Sequence, residues 1–161
     1  VGNVYLKLMG DFEYGGDPGK TRGARIGNFF TAGDVGWLDT EGYLFLSDRK
    51  IDMIISGGVN IYPAEIEGAL LRHPAVGDAA VFGIPDPDWG EQVKAVVEPV
   101  PGQRAGPELA ETLMTHCRES LATYKCPRTI DFVDALPRDP NGKLYKRKLR
   151  DPYWAGRERK I

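Results

Sequence analysis

The chain has 161 residues, 42% hydrophobic and 27% charged, with a formal net charge of −2. That balance fits a soluble globular protein of one domain, or a small domain with a piece of another. No run of about 18 apolar residues occurs, so no transmembrane segment is expected, and the first residues lack the basic and apolar regions of a secretion signal.

GNVYLKL, residues 2–8, alternates like a strand, with Val4, Leu6 and Leu8 on one side and Tyr5 and Lys7 on the other. Its start at Val1, inside that pattern and without an initiator Met, is expected of a piece of a longer protein. A Gly- and charge-rich stretch follows, with a short helix expected after Pro18. NFFTAGDVGWLDTEGYLFLSDRK reads as two strands about a turn at Asp39-Thr40-Glu41-Gly42, with Tyr43 and Phe45 on one face and Leu44 and Leu46 on the other. IDMIISGGVNIYP has an apolar run broken by Gly57-Gly58, which predicts a short hairpin or an open backbone loop.

Pro63 predicts a helix reaching about Arg72, with Glu65 and Glu67 complementing its N-terminus and Ile66, Ala69 and Leu70 as its apolar stripe. VGDAAVFGI and EQVKAVVEPV predict strands joined by the loop PDPDWG. Leu109, Leu113, Cys117 and Leu121 recur every four residues on a helix opening after Pro107. RTIDFVDAL predicts a further strand and KLYKRKLR a last short helix. The fold class expected is α+β: a small C-terminal lid domain with a short hairpin, a three-stranded sheet and flanking helices, preceded by a strand-rich remnant. The boundary predicted places residues 1–49 in the remnant and 50–161 in the small domain.

Cys117 and Cys126 have no metal-ligand spacing and read as ordinary thiols. His73 and His116 stand apart from acidic or cysteine clusters in the sequence and read as surface or helix-end residues, so no metal site is expected. Charge is uneven. Arg138–Lys160 holds nine basic and three acidic residues, a net of +6, while the remainder carries −8. Such a tail suits an anionic partner, whether a phosphate ligand, nucleic acid or a membrane surface, and equally suits a solvated helix face.

LPRDPNGKLYKRKLR, residues 136–150, contains the chemistry. Asn141-Gly142 is a strong turn dipeptide that can present Lys143 at a loop tip, where an ammonium meets phosphate or carboxylate oxygens. TAGD, residues 31–34, places Asp34 after Gly at a strand end, and SDRKIDMIISGGVNIYPAEIE, residues 47–67, orders an arginine, a paired-glycine loop and a helix.

Together with FFTAGDVGWLDTEGYLFLSDRK, DPDWGEQVKAVV and LATYKCPR, these segments stand in one order over essentially the whole chain, which resembles the C-terminal part of an acyl-CoA synthetase of the adenylate-forming superfamily. The resemblance implies an acid–thiol ligase. A carboxylate attacks the α-phosphate of Mg-ATP, giving an acyl-adenylate and pyrophosphate; the coenzyme A thiol then attacks the acyl carbon and releases AMP. A small domain is implied to swivel between the two steps.

Carried over by position, Lys143 is implied to be the catalytic lysine that bridges the acyl carboxylate and the α-phosphate. Asp34 is implied to bind the ribose hydroxyls of ATP, and Arg49 to contact the nucleotide. Gly57 and Gly58 would line the pantetheine tunnel, and Trp89, Tyr124 and Lys125 would approach coenzyme A, with core packing an equally open role for Trp89 and Tyr124. The hinge is assigned to Lys50, Ile51 and Asp52; the usual pivot position, often Asp or Lys, is Ile51. Cys126 stands where some relatives place a basic residue, with Arg128 near it.

The TSGTTGxPKG-type phosphate loop and the YGxTE-type segment are missing from the sequence. ATP, coenzyme A and Mg²⁺ are therefore expected to bind mainly through an absent N-terminal part, and this polypeptide alone is not expected to catalyse adenylation. The implied partners are a small carboxylic acid, ATP, coenzyme A and the rest of the N-terminal domain, in the cytoplasm. An adenylation domain serving a carrier protein, or a luciferase-like enzyme, is the alternative; no carrier-type segment precedes the final WAGRERKI, which favours a free-standing ligase. A basic module for nucleic acid or membrane would need aromatics interleaved with Lys/Arg, and Tyr145, Tyr153 and Trp154 form no such pattern, so no nucleic-acid partner is expected.

Overall fold

Turn chemistry breaks the early part of the chain into short pieces. The computed structural model describes residues 1–7, 10 and 13–157, and the chain divides into two units, Val1–Ile51 and Asp52–Ile161.

In the first unit, β1 (Gly2–Asn3), β2 (Leu6–Lys7), α1 (Pro18–Gly23), β3 (Arg25–Ile26), β4 (Phe29–Phe30), β5 (Asp34–Leu38) and β6 (Leu44–Arg49) form two three-stranded sheets, ordered β1-β5-β6 and β2-β4-β3. GNVYLKL is thus two pieces rather than one strand, because β1 pairs with β5 and β2 with β4. Leu8 lies outside the described residues. The helix after Pro18 forms as predicted, and the Asp17 carboxylate accepts from the Lys20 N–H at 2.8 Å. The β5–β6 turn closes on Asp39, whose Oδ1 accepts from the N–H groups of Glu41 and Tyr43 at 2.9 and 2.8 Å. Tyr43 therefore belongs to the turn rather than to the strand, and Phe45 stacks on Trp37 with ring centres 4.5 Å apart.

A 3₁₀ turn at Lys50–Asp52 leads into the second unit. Its elements are β7 (Ile54–Ser56), β8 (Val59–Ile61), α2 (Pro63–Leu70), β9 (Val76–Asp86), β10 (Gly90–Pro99), α3 (Pro107–Ser120), β11 (Thr129–Phe132) and α4 (Lys146–Arg150). Gly57 and Gly58 at φ +56° and +80° turn the β7–β8 hairpin, a geometry that L-residues adopt only with strain. β9, β10 and β11 make the expected three-stranded sheet, with β9 antiparallel and β11 parallel to β10. The hairpin joins that sheet through the single pair Ser56–Gly90, giving five strands.

Both faces of this sheet are covered, which explains why VGDAAVFGI reads as nearly continuous apolar sequence. Ala79 and Val81 face a core containing Ile54, Ile66, Leu70, Leu113 and Cys117, roofed by α2 and α3. Ala80 and Phe82 point the other way, into a smaller core with Val96, Leu136, Leu144 and Leu149. The C-terminal segment closes that side, where the Trp154 Nε1–H donates to the Gly83 carbonyl at 3.0 Å.

Two helix boundaries and the role of Glu67 differ from the sequence reading. α2 ends at Leu70, and only Glu65 sits in its first turn. Glu67 instead turns to the sheet, where its Oε1 accepts from the Val81 N–H at 2.7 Å and meets the Lys146 ammonium at 2.6 Å. The last helix starts at Lys146 because Leu144 bridges back to Arg138.

Cys117 and Cys126 are both free and buried. Burial, reinforced by Cys126, pushes the Cys117 thiol up from 9.0 to about 11, although Arg118 and Arg72 pull it down. The protonated form is thus favoured by folding, and its stabilisation is present below pH 9 and is lost as pH rises towards 11. Urea titrations at pH 8 and 10.5 should show a loss on the order of 2 kcal/mol at the higher pH. A Cys117→Ala variant should lose less, and an identical loss in the variant would contradict the assignment.

Candidate functional site

Lys143 stands on a turn held by one carboxylate. The Asp139 Oδ1 accepts from the N–H groups of Asn141 and Lys143 at 2.8 and 3.0 Å. Gly142 takes φ +81°, and the Lys143 carbonyl accepts from the Asp139 N–H at 2.9 Å. Arg138 braces the turn from outside, donating to the Gly142 carbonyl at 2.8 Å and pairing with Asp78. Leu144 packs into the smaller core while Lys143 is exposed. The backbone is fastened and the ammonium projects from it.

Its basic neighbours are differently placed. Lys146 pairs with Glu67, Arg147 with Asp151, and Arg150 with Asp52 and Asp151. Lys148 lies over the Tyr145 ring at 5.4 Å. Lys143 has no carboxylate within ion-pair distance among the described residues. Part of the positive charge in this stretch is therefore compensated within the fold, while Lys143 is left outward without a carboxylate partner among the described residues.

A second group of predicted residues meets at a groove of about 680 Å³. Gly57, Trp89 and Tyr124 line it, together with Arg118, Cys126 and Arg128. Trp89 is 51% and Tyr124 56% exposed, so neither is a core residue. A β-carbon on Gly57 would lie 2.5 Å from Trp89 Cε3, so the indole rests on the glycine backbone. The Gly57 N–H also donates to the Trp89 carbonyl at 2.8 Å. Gly58 and Lys125 are not among the lining residues. Lys125 is instead held by Glu65 through two contacts of 2.7 and 2.8 Å, and that hydrogen bond raises its pKa above the ordinary lysine value.

Asp86 organises this groove and escaped the sequence reading. Its Oδ1 accepts from the N–H groups of Asp88 and Trp89 at 3.0 and 2.9 Å, making the PDPDWG segment a tight hairpin tip rather than a loose loop. Its Oδ2 faces Arg128 Nη1 at 3.4 Å, and the Arg128 guanidinium sits 5.9 Å from the Trp89 ring centre. The Asx pattern Asp-Pro-Asp carried a signal for the turn. Arg118 had none, because only the packing of α3 turns it into the groove.

In the first unit, Asp34 and Arg49 are direct cross-strand partners on β5 and β6. The Arg49 Nε lies 3.7 Å from the Asp34 carboxylate, and both side chains are partly open to solvent. His73 and His116, read as separate, meet edge to face with ring centres 5.2 Å apart, and His116 Nε2 lies 3.0 Å from the Ala69 carbonyl oxygen. Among the described residues, no group of three His, Cys, Asp or Glu side chains is placed to hold a metal ion.

The chain is similar to known proteins. Residues 65–143 match the family described as AMP-binding enzyme C-terminal domain. The chain is 42% identical to fatty acid–[acyl-carrier-protein] ligase ScoC of Streptomyces coeruleorubidus, over 100% of its own length and 31% of that protein. It is 45% identical to long-chain-fatty-acid–CoA ligase FadD13 of Mycobacterium tuberculosis, over 89% of its length and 28% of that protein. Among solved structures, o-succinylbenzoate CoA synthetase (MenE) from Bacillus subtilis, in complex with its acyl-adenylate intermediate, superposes with a TM-score of 0.75 at 38% identity, covering 84% of this chain and 27% of that one. The chain spans under a third of the length of each of these relatives. Residues 65–143 are an AMP-binding enzyme C-terminal domain, and the chain belongs with the C-terminal part of the adenylate-forming ligases.

Proposed function

We propose that the chain is the lid-bearing part of an ATP-dependent acyl-CoA ligase, with Asp52–Ile161 as the mobile lid and Val1–Ile51 as the tail of a larger nucleotide-binding domain. The observation that carries this reading is Lys143: a rigidly mounted turn presents its exposed ammonium with no carboxylate partner among the described residues, while Lys146 and Arg150 on the helix that follows are engaged within the fold.

In the first half-reaction a carboxylate oxygen attacks the α-phosphorus of ATP and pyrophosphate leaves. Negative charge gathers on the oxygens around phosphorus, where Lys143 would neutralise it. Asp34, held beside Arg49, would accept from the ribose hydroxyls, with Arg49 near the nucleotide. Magnesium would screen the ATP phosphates; these residues offer it no three-ligand site among those described, and its binding is assigned to the larger domain. In the second half-reaction the groove floored by Gly57 would admit the pantetheine arm of coenzyme A. Trp89 and Tyr124 would form its walls, and Arg118 and Arg128 would meet its phosphates. Gly58 would keep the hairpin tip narrow, and Lys125 would approach only by leaving Glu65. The pivot between the two arrangements is assigned to Lys50, Ile51 and Asp52.

The named activities of FadD13 and ScoC favour a fatty acid as the substrate class, in the cytoplasm where ATP and coenzyme A meet reduced thiols. A carrier-protein acceptor is the second reading, supported by the match to ScoC along the whole chain. The test is pyrophosphate release and thioester formation with a panel of fatty and aryl acids. The complete ligase polypeptide should turn over with coenzyme A as acceptor, and the 161-residue chain should not. Turnover by the chain alone, or thioester formed only on a phosphopantetheinyl carrier protein, would overturn the leading reading.

A further inference from the structure

The residue that shares α4 with Lys146 and is most deeply buried there is Arg150, only 7% exposed. A buried charge persists where partners are fixed around it. Arg150 Nη1 lies 3.7 Å from Asp52 Oδ1, and its Nη2 lies 3.3 Å from Asp151 Oδ1. Asp52 is the first residue of the second unit and closes the 3₁₀ turn after Ile51. The same helix is pinned at its other end by Lys146 on Glu67, and Lys143 lies three residues before it.

The exit of the linker and the base of the Lys143 turn are therefore joined by one short helix with an ion pair at each end. We propose that Arg150 is a positioning residue for Lys143: it locks Asp52 to α4, so that rotation in the linker moves the lysine turn as part of one rigid body. This rests on the lid reading above. Without the Arg150–Asp52 link, the linker exit could twist against α4, and the ammonium would arrive displaced from the phosphorus. A displacement of about 1 Å in a catalytic group commonly costs on the order of 100-fold, so a partial loosening should cost about tenfold.

The test places Arg150→Met and, separately, Asp52→Asn in the complete ligase, each with and without Lys143→Ala. In the Lys143-containing enzyme, each change should lower kcat for pyrophosphate release about tenfold while KM for ATP stays within about twofold. The two changes together should cost no more than one alone. In the Lys143→Ala background neither should lower the residual rate further, because no ammonium remains to be placed. A merely structural role would reduce the rate by the same factor in both backgrounds, and that outcome, or unaltered kcat in both variants, overturns the proposal. If Arg150→Met does not fold, Asp52→Asn, at a side chain 23% exposed, gives the same comparison. Should Lys143→Ala itself leave pyrophosphate release unchanged, the lid reading fails instead, and the two failures are distinguishable.

Discussion

Replacing Lys143 by Ala in the complete ligase should lower the rate of acyl-adenylate formation by about 10²–10³. The turn is secured by Asp139, Arg138 and Leu144, none of which depends on the lysine side chain. The substitution therefore removes a charge without unfolding its support, and thermal stability should be nearly unchanged. Because the cation acts where charge develops, the loss should appear in kcat rather than in KM for ATP. Arginine should restore little of the rate, since its broader planar head delivers charge in a different geometry. Pyrophosphate release measured by a coupled assay reads this directly, and a loss under about tenfold would assign the rate-determining charge to another residue.

The second large effect is expected at Gly57. A β-carbon there meets the Trp89 ring at 2.5 Å, and the backbone sits at φ +56°. Gly57→Val must therefore both strain the hairpin and drive the indole from its place on the groove wall. The strain alone costs about 1–2 kcal/mol. Coenzyme A-dependent release of AMP from supplied acyl-adenylate should fall at least about tenfold, since a blocked channel misplaces the thiol. Adenylate formation should be affected much less, because Lys143 is mounted on a different segment of the chain. The reverse pattern, adenylation lost and thioester formation intact, would contradict the roles given to the hairpin and the turn.

Local chemistry made much of this architecture legible. Gly57-Gly58, Asn141-Gly142 and the prolines that open α2 and α3 each carry a local backbone preference. The apolar stripes of α2 and α3 do face the larger core as their spacing predicts. Sequence failed where a partner distant in the chain decides the outcome. GNVYLKL splits because its halves find different strands, and Glu67 leaves the helix terminus because Val81 and Lys146 claim it. The same holds at the groove. Gly57, Trp89 and Tyr124 were readable, whereas Asp86, which aims the indole, and Glu65, which holds Lys125, act through contacts without a sequence spacing. His73 and His116 meet only because α2 and α3 pack side by side.

In the proposed function one lid serves two half-reactions with separate residues, Lys143 in the first and the Gly57 groove in the second. The most direct measurement supplies preformed acyl-adenylate and coenzyme A to the Lys143→Ala enzyme and follows thioester formation in a single turnover. The rate should lie within about twofold of the unaltered enzyme, since no charge develops at phosphorus opposite the lysine in that step. A loss matching the 10²–10³ expected for adenylation would show that Lys143 serves both steps alike, and the division of labour proposed for the lid would be wrong.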